Sequence, residues 1–265
     1  MLKKTTRPKP STKEMREGKF NLPASKLQLI EEDAPTRDFR SSFHWRVFRI
    51  MAEFVDGWQF LADFKRSVTF FGSARFKPES PWYQQARELA SKLADDGFDV
   101  ITGGGPGIME AANQGAHESH TNSLGLIEDD RRGDSRGDSI GLNIRLPFEQ
   151  RINKYVEKAV AFHYFFVRKV MLTYYAQAYI YFPGGFGTLD EAFEVITLVQ
   201  TKKIPRIPIV FVGKGYWGKL DDFMKNTVYG EYKAIDKGDM DIYTIVDTVE
   251  DAYKIIKKSP PRKVF

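Results

Sequence analysis

Two rhythms of apolar residues alternate along the chain. Short β-rich runs at residues 67–71, 98–101, 139–144, 178–182 and 207–212 predict strands, and alternation at Val160, Phe162, Tyr164 and Phe166 predicts one more. Between them, three- and four-residue spacing predicts helices over 82–96, 108–117, 189–199, 216–228 and 252–257, with another carrying Arg168 and Lys169 to Tyr175. Gly97 stops the first of these, and Thr188 opens the run at 189–199. Upstream, Phe43, Val47, Ile50, Met51, Phe54, Trp58 and Leu61 predict a helix with an aromatic face, N-capped by Ser41 or Ser42. That face requires a cover, from the domain or from another subunit, and reads as packing. Residues 123–127 compete with 139–144 for one strand; the second is taken as the core strand, and the polar stretch 128–138 as a loop. Strand, helix, strand, glycine turn, helix is the order of an α/β fold: a doubly wound parallel sheet, here with an N-terminal helical extension. Its ligands are expected at the carboxyl ends of the strands.

The expected organisation is a basic tail over 1–38, the aromatic helix over 39–66, the α/β domain over 67–258 and a basic end over 259–265. Lys, Pro, Ser, Thr and Glu dominate the tail, a composition that does not build a core. Within residues 1–20, Lys3, Lys4, Arg7, Lys9, Lys13, Arg16 and Lys19 oppose only Glu14 and Glu17, a net of +5 that equals the formal charge of the whole chain. The remainder is neutral, so the tail reads as a solvated arm and not as a nucleic-acid clamp. The chain has no cysteine, which excludes disulfides and thiolate chemistry and fits a cytoplasmic setting. No apolar run is long enough for a membrane, and the basic start has no apolar stretch behind it to serve as a leader.

Three glycine turns follow three of the strands: Gly72-Ser73, the run Gly103, Gly104, Gly105, Pro106, Gly107, and the run Gly184, Gly185, Phe186, Gly187. In one parallel sheet they converge on a single edge. A glycine turn that opens a helix presents free N–H groups and the positive end of the helix dipole, a site suited to phosphate. Glycine is expected there for close approach and for φ above zero. The second run lacks the Lys-Ser/Thr of a P-loop and is not spaced Gly-x-Gly-x-x-Gly, so nucleotide or sugar-phosphate binding is expected without those folds. Asp190 and Glu191 stand just inside the third turn, as helix-start acids or with one of them facing the ligand. Arg168 is the natural counter-ion, since its flanks, Phe165, Phe166, Val170 and Met171, are too apolar for an unpaired charge. The four histidines form no constellation; His117, Glu118 and His120 read as a chance surface cluster and not as a metal site.

The run from Pro183 through Phe186 and Thr188 to Glu191 resembles the PGGxGTxxE signature of the LOG family, named for the "Lonely guy" cytokinin-activating enzymes. Phe166 to Met171 resembles that family's Arg-Lys motif, and Thr102 to Asn113 with Gln200 to Lys203 resembles its larger bacterial branch. The resemblance implies a Rossmann-like fold, a homodimer or higher oligomer, and cleavage of the N-glycosidic bond of nucleoside 5′-monophosphates such as AMP or cytokinin ribotides. It implies a catalytic pair, Arg168 and Glu191. It places substrate at Gly72, Gly104, Gly105, Gly107, Gly184, Gly185, Phe186, Gly187 and Thr188, with Ser73, Glu149, Lys169 and Thr197 as further candidates. Neither metal nor cofactor is implied. Such sequences often carry a lysine-decarboxylase label, yet no Schiff-base lysine setting is recognisable. The competing expectation is a nucleotide-binding or carrier protein without catalysis on the same fold.

Overall fold

The computed structural model describes residues 43–64, 66–124, 136–145 and 152–260, with backbone only at 43, 44 and 120–124. Two compact units, Met1–Arg49 and Ile50–Phe265, divide the chain, and the second holds everything below except the first turns of the N-terminal helix. That helix, α1, is Phe43–Leu61; Ser41 and Ser42 lie outside the described residues. In the second unit, Leu61 of α1 is buried while Met51, Val55 and Trp58 stay exposed.

The elements then alternate: β1 Ser67–Phe71, α2 Pro81–Asp95, β2 Asp99–Thr102, α3 Ile108–Leu124, β3 Ser139–Ile144, β4 Lys158–Phe162, α4 Phe165–Tyr174, β5 Ala178–Tyr181, α5 Phe186–Gln200, β6 Ile209–Val212, α6 Lys214–Asp222, β7 Thr244–Val246 and α7 Val249–Lys257. A π-helical stretch, Phe223–Glu231, and a 3₁₀ turn, Lys237–Asp241, lie between α6 and β7. The seven strands form one sheet in the order β4-β3-β2-β1-β5-β6-β7, every pairing parallel. This is the expected doubly wound α/β fold. Strand order reverses between β1 and β5, which opens a crevice at their carboxyl ends.

A parallel sheet covered on both sides needs strands that are apolar at every position, and β1, β5 and β6 are buried throughout. Their alternate residues feed two separate cores. Val68, Phe70, Ile180 and Val210 face α2, α3 and α7. Phe71, Tyr179, Tyr181 and Phe211 face α4, α5 and α6.

Several predicted boundaries move, each for a local reason. The alternation expected to run as a strand to Phe166 ends at Phe162, and Tyr164 caps α4 with extended backbone. Helix α3 runs through Leu124, so Ser123 and Leu124 are helical and not the start of the competing strand. Helix α7 begins earlier than predicted because the Thr248 hydroxyl accepts from the Asp251 N–H. The helix predicted over 216–228 changes pitch at Phe223, where bonds such as Tyr232 N–H to the Thr227 carbonyl (3.0 Å) span five residues. Strand β7, only three residues long, went unpredicted.

Candidate functional site

The three glycine turns meet, as their phase required, and the main chain of Ser73 is where they join. Its N–H donates to the Pro183 carbonyl (3.0 Å), tying the β1 turn to the β5 turn. Its carbonyl accepts from the Ile108 N–H (3.0 Å), tying it to the β2 turn. Gly107, at φ +72°, lies so close that an added Cβ would come within 2.3 Å of that same carbonyl. Glycine is required there twice over, by conformation and by space.

The β2 turn is fastened from beneath by a buried polar network. Thr102 Oγ1 accepts from Gly104 N–H (2.9 Å) and donates to Asn113 Oδ1 (2.6 Å). Asn113, fully buried, also donates to Ser139 Oγ (2.9 Å) and accepts from Asn153 Nδ2 (3.0 Å). Asn153 donates in turn to the Gly105 carbonyl (3.0 Å). In sequence, Asn113 stands out only within the motif Thr102 to Asn113, and Asn153 carries no local signal.

Above these turns opens a cavity of about 810 Å³ at the β1/β5 crevice. Of the residues singled out from sequence, it brings together Gly72, Ser73, Arg168, Gly184, Gly185, Phe186, Gly187, Thr188 and Glu191. Gly104, Gly105 and Gly107 stand beneath it as scaffold and do not line it, whereas Gly103 does. Lys169 is turned aside, 2.6 Å from Asp190 and 3.3 Å from Glu194. Thr197 lies further along α5, where its hydroxyl donates to the Phe193 carbonyl (2.7 Å), and it lines a different cavity. Glu149 lies outside the described residues. Arg75, Phe76, Trp82 and Tyr216 also line the crevice and were not singled out. Nothing in local sequence pattern assigns them, because they arrive from a turn and from helices on the far side of the reversal.

Helix α5 starts at Phe186, earlier than the apolar pattern suggested, with Gly185 as N-cap. Its first backbone bond runs from Leu189 N–H to the Gly185 carbonyl (3.1 Å), so the amides of Phe186, Gly187 and Thr188 stand outside the helical ladder at the cavity wall. The expectation of positive φ in this turn fails: Gly184, Gly185 and Gly187 all have ordinary negative or extended backbone. Space explains Gly184, whose added Cβ would fall 2.1 Å from Thr188 Oγ1, while at Gly185 and Gly187 a Cβ would meet nothing within 4 Å. Those two keep the cavity open. Tyr216 Oη donates to the Gly184 carbonyl (2.5 Å) and so fixes the turn from α6.

The early start also moves the two acids into the second turn, so neither is a helix-start acid. One residue apart on a helix means about 100° apart around it, and their fates differ accordingly. The Asp190 side chain is 53% exposed and paired with Lys169. Glu191 is 6% exposed, lines the cavity, and its Oε2 has no hydrogen-bond partner. Burial pushes the Glu191 carboxyl up to about 8, with Glu194 and Asp190 adding to the shift and Lys169 and Arg168 opposing it. A neutral acid at this wall does not repel an incoming phosphate, which resolves the conflict between acid and anion site.

Arg168 comes from α4 on the other side. Its Nε donates to the Leu142 carbonyl within β3 (2.6 Å). Burial lowers its pKa while the Glu191 charge raises it. The guanidinium lies across Gly103, where an added Cβ would sit 2.3 Å from Nη2, so the glycine makes room for the cation. Among the described residues no group of His, Asp and Glu is arranged to hold a metal, and His117 is paired with Glu157 at 2.8 Å.

A family model described as "Possible lysine decarboxylase" matches residues 109–256, more than half of the chain. The cytokinin riboside 5′-monophosphate phosphoribohydrolase LOG7 of Arabidopsis thaliana is 33% identical over 179 residues, covering 66% of this chain and 70% of that one. The enzyme LOG of Oryza sativa subsp. japonica is 31% identical over 139 residues, covering 52% and 50%. Among solved structures, that of TM1055 superposes with a TM-score of 0.51 at 25% identity, over 73% of this chain and 99% of that one. With the signature residues in place around one crevice and the family model spanning both motifs, this chain belongs to the LOG family.

Proposed function

We propose that the protein hydrolyses the N-glycosidic bond of nucleoside 5′-monophosphates, releasing a free base and ribose 5-phosphate. The observation that carries this reading is Glu191, a buried carboxyl with an unpartnered oxygen, on a cavity whose adjoining wall is a helix N-terminus. Membership of the LOG family and the names of the relatives support it.

The phosphate would dock on the amides of Phe186, Gly187 and Thr188, which fixes the ribose beside Glu191. As the C1′–N bond breaks, its electron pair leaves with the base and positive charge grows on C1′ and O4′. The carboxylate form of Glu191 stabilises that charge and takes a proton from the water that attacks C1′, then returns it to the departing base. A pKa of about 8 sets this group near the working pH, where a general base performs best. Arg168, pinned by Leu142 and charged at any physiological pH, faces the same space and balances negative charge on phosphate or leaving base. Lys169 acts at one remove: by holding Asp190 outward it keeps that second acid off the substrate.

Incubation with AMP, CMP, GMP and prenylated AMP, followed by chromatography of the bases, tests the reading. Release of at least one free base is expected. Tight binding of a nucleotide that stays intact would instead make the protein a carrier.

A further inference from the structure

The turn between β5 and α5 is fastened at three points. The Ser73 N–H donates to the Pro183 carbonyl (3.0 Å), and the Leu189 N–H donates to the Gly185 carbonyl (3.1 Å). The Thr188 side chain packs on Gly184 so closely that a Cβ has no room there. What these contacts leave open is the plane of the peptide between Gly184 and Gly185, which has no side chain on either flank to fix it. Tyr216 fixes it, because its Oη donates to the Gly184 carbonyl (2.5 Å). The donor is itself rigidly placed in the first turn of α6, with its N–H on the Gly213 carbonyl (3.1 Å). Its ring stands edge-on to Trp217 (4.8 Å between centroids), which is buried against Phe211 (4.4 Å). A trans peptide carries its C=O and N–H on opposite sides, so the Gly185 N–H points away from Tyr216. It donates to nothing among the described residues.

We propose that Tyr216 is a positioning residue for phosphate recognition: by holding the Gly184 carbonyl it turns the Gly185 N–H toward the docked phosphoryl group, as a fourth donor beside the amides of Phe186, Gly187 and Thr188. The inference rests on the docking of the 5′-phosphate proposed above. Gly185 N-caps α5 and lines the cavity with the other three. Successive N–H groups at a helix start converge on one anion. Were the Gly184–Gly185 peptide to turn over, its oxygen would take the place of the N–H and repel the phosphate. Tyr216 acts through the backbone, and what it sets is the preference for a nucleoside 5′-monophosphate over the nucleoside without the phosphate. Binding of the base and ribose does not draw on that peptide and is independent of the tyrosine hydroxyl.

The test measures binding and not turnover. Ribose 5-phosphate and adenosine are titrated calorimetrically into the full chain and into Tyr216→Phe, which keeps the ring and removes the donor. The variant is expected to bind ribose 5-phosphate about 5- to 20-fold more weakly, the worth of one oriented hydrogen bond, and to treat adenosine as the parent does. Gly185→Pro deletes the N–H itself and is expected to show a loss of the same size, with the double variant no weaker than either alone. No binding of ribose 5-phosphate to the parent, unchanged affinity in Tyr216→Phe, an equal loss for adenosine, or losses that multiply in the double variant would each overturn the proposal. Should Tyr216→Phe not fold, Gly185→Pro decides: a loss confined to ribose 5-phosphate supports the role of the N–H, and undiminished binding overturns it. A protein that shows the expected pattern yet releases no base from AMP loses the reaction proposed above and keeps this role for Tyr216.

Discussion

Replacing Glu191 with glutamine is expected to remove activity and to make the protein more stable, in a pH-dependent way. The carboxyl titrates near 4.5 in an unfolded chain and is raised to about 8 in the fold. Because the folded value is the higher, its protonated form favours folding: stability is fully present below about 4.5 and is lost as pH rises toward 8. At 1.36 kcal/mol per pH unit, the full displacement corresponds to about 4–5 kcal/mol as an upper bound. The site opens on a large cavity and relaxation reduces this, so about 2–3 kcal/mol is expected above pH 8 and near zero at pH 4.5. Glutamine copies the neutral acid at every pH and carries none of the penalty. Thermal unfolding of both proteins at pH 5 and pH 8.5 reads the difference: Glu191→Gln should melt about 5–10 °C higher at the alkaline pH and nearly together with the parent at the acid one. A gap of the same size at both pH values would refute the reasoning, because it would come from packing and not from ionisation.

Three further outcomes rest on other parts of the site. The pH profile of kcat/KM should rise through an inflection near 8, as Glu191 becomes a carboxylate; a profile that falls there would make it a proton donor instead. Gly103→Ala puts a methyl group where the Arg168 guanidinium lies, and should cut turnover about 10- to 100-fold with at most ~2 kcal/mol lost in urea unfolding. Retained turnover in that variant would show that the cation need not sit there. Asn113→Ala strips a buried hub of the β2 turn and should cost about 2–4 kcal/mol, measured by the same unfolding; a loss below 1 kcal/mol would mean the network is dispensable.

The sheet was legible because its strands are apolar on both faces and its turns are glycine-rich, two signals that survive without any knowledge of neighbours. The runs at β1 and β5 needed nothing else, while β3 had to be chosen over the competing run at 123–127. Helix ends were harder, since they depend on capping: α5 begins at Phe186 because Gly185 takes the N-cap, which an apolar count starting at Leu189 does not register. That shift places Asp190 and Glu191 in the second turn of α5, although the motif resemblance already singled out Glu191. Arg168 was recoverable from its apolar flanks, but Lys169 was not, because its partners Asp190 and Glu194 lie on a different helix. Tyr216 and Trp82 reach the crevice across the strand-order reversal, where proximity in space has no counterpart along the chain. The strand expected at 160–166 shows the opposite failure: real alternation that ends where Tyr164 caps a helix.

The proposed reaction requires water at the anomeric carbon with Glu191 as its base. Incubating the protein with AMP in H₂¹⁸O and analysing the products by mass spectrometry tests it directly. Free adenine and ribose 5-phosphate are expected, with one ¹⁸O at C1 at the earliest times, before the free sugar exchanges that oxygen with solvent, and with formation slowed by about 10²-fold or more in Glu191→Gln. Unlabelled, intact AMP recovered from both proteins, or labelled product formed equally fast by the variant, would contradict it.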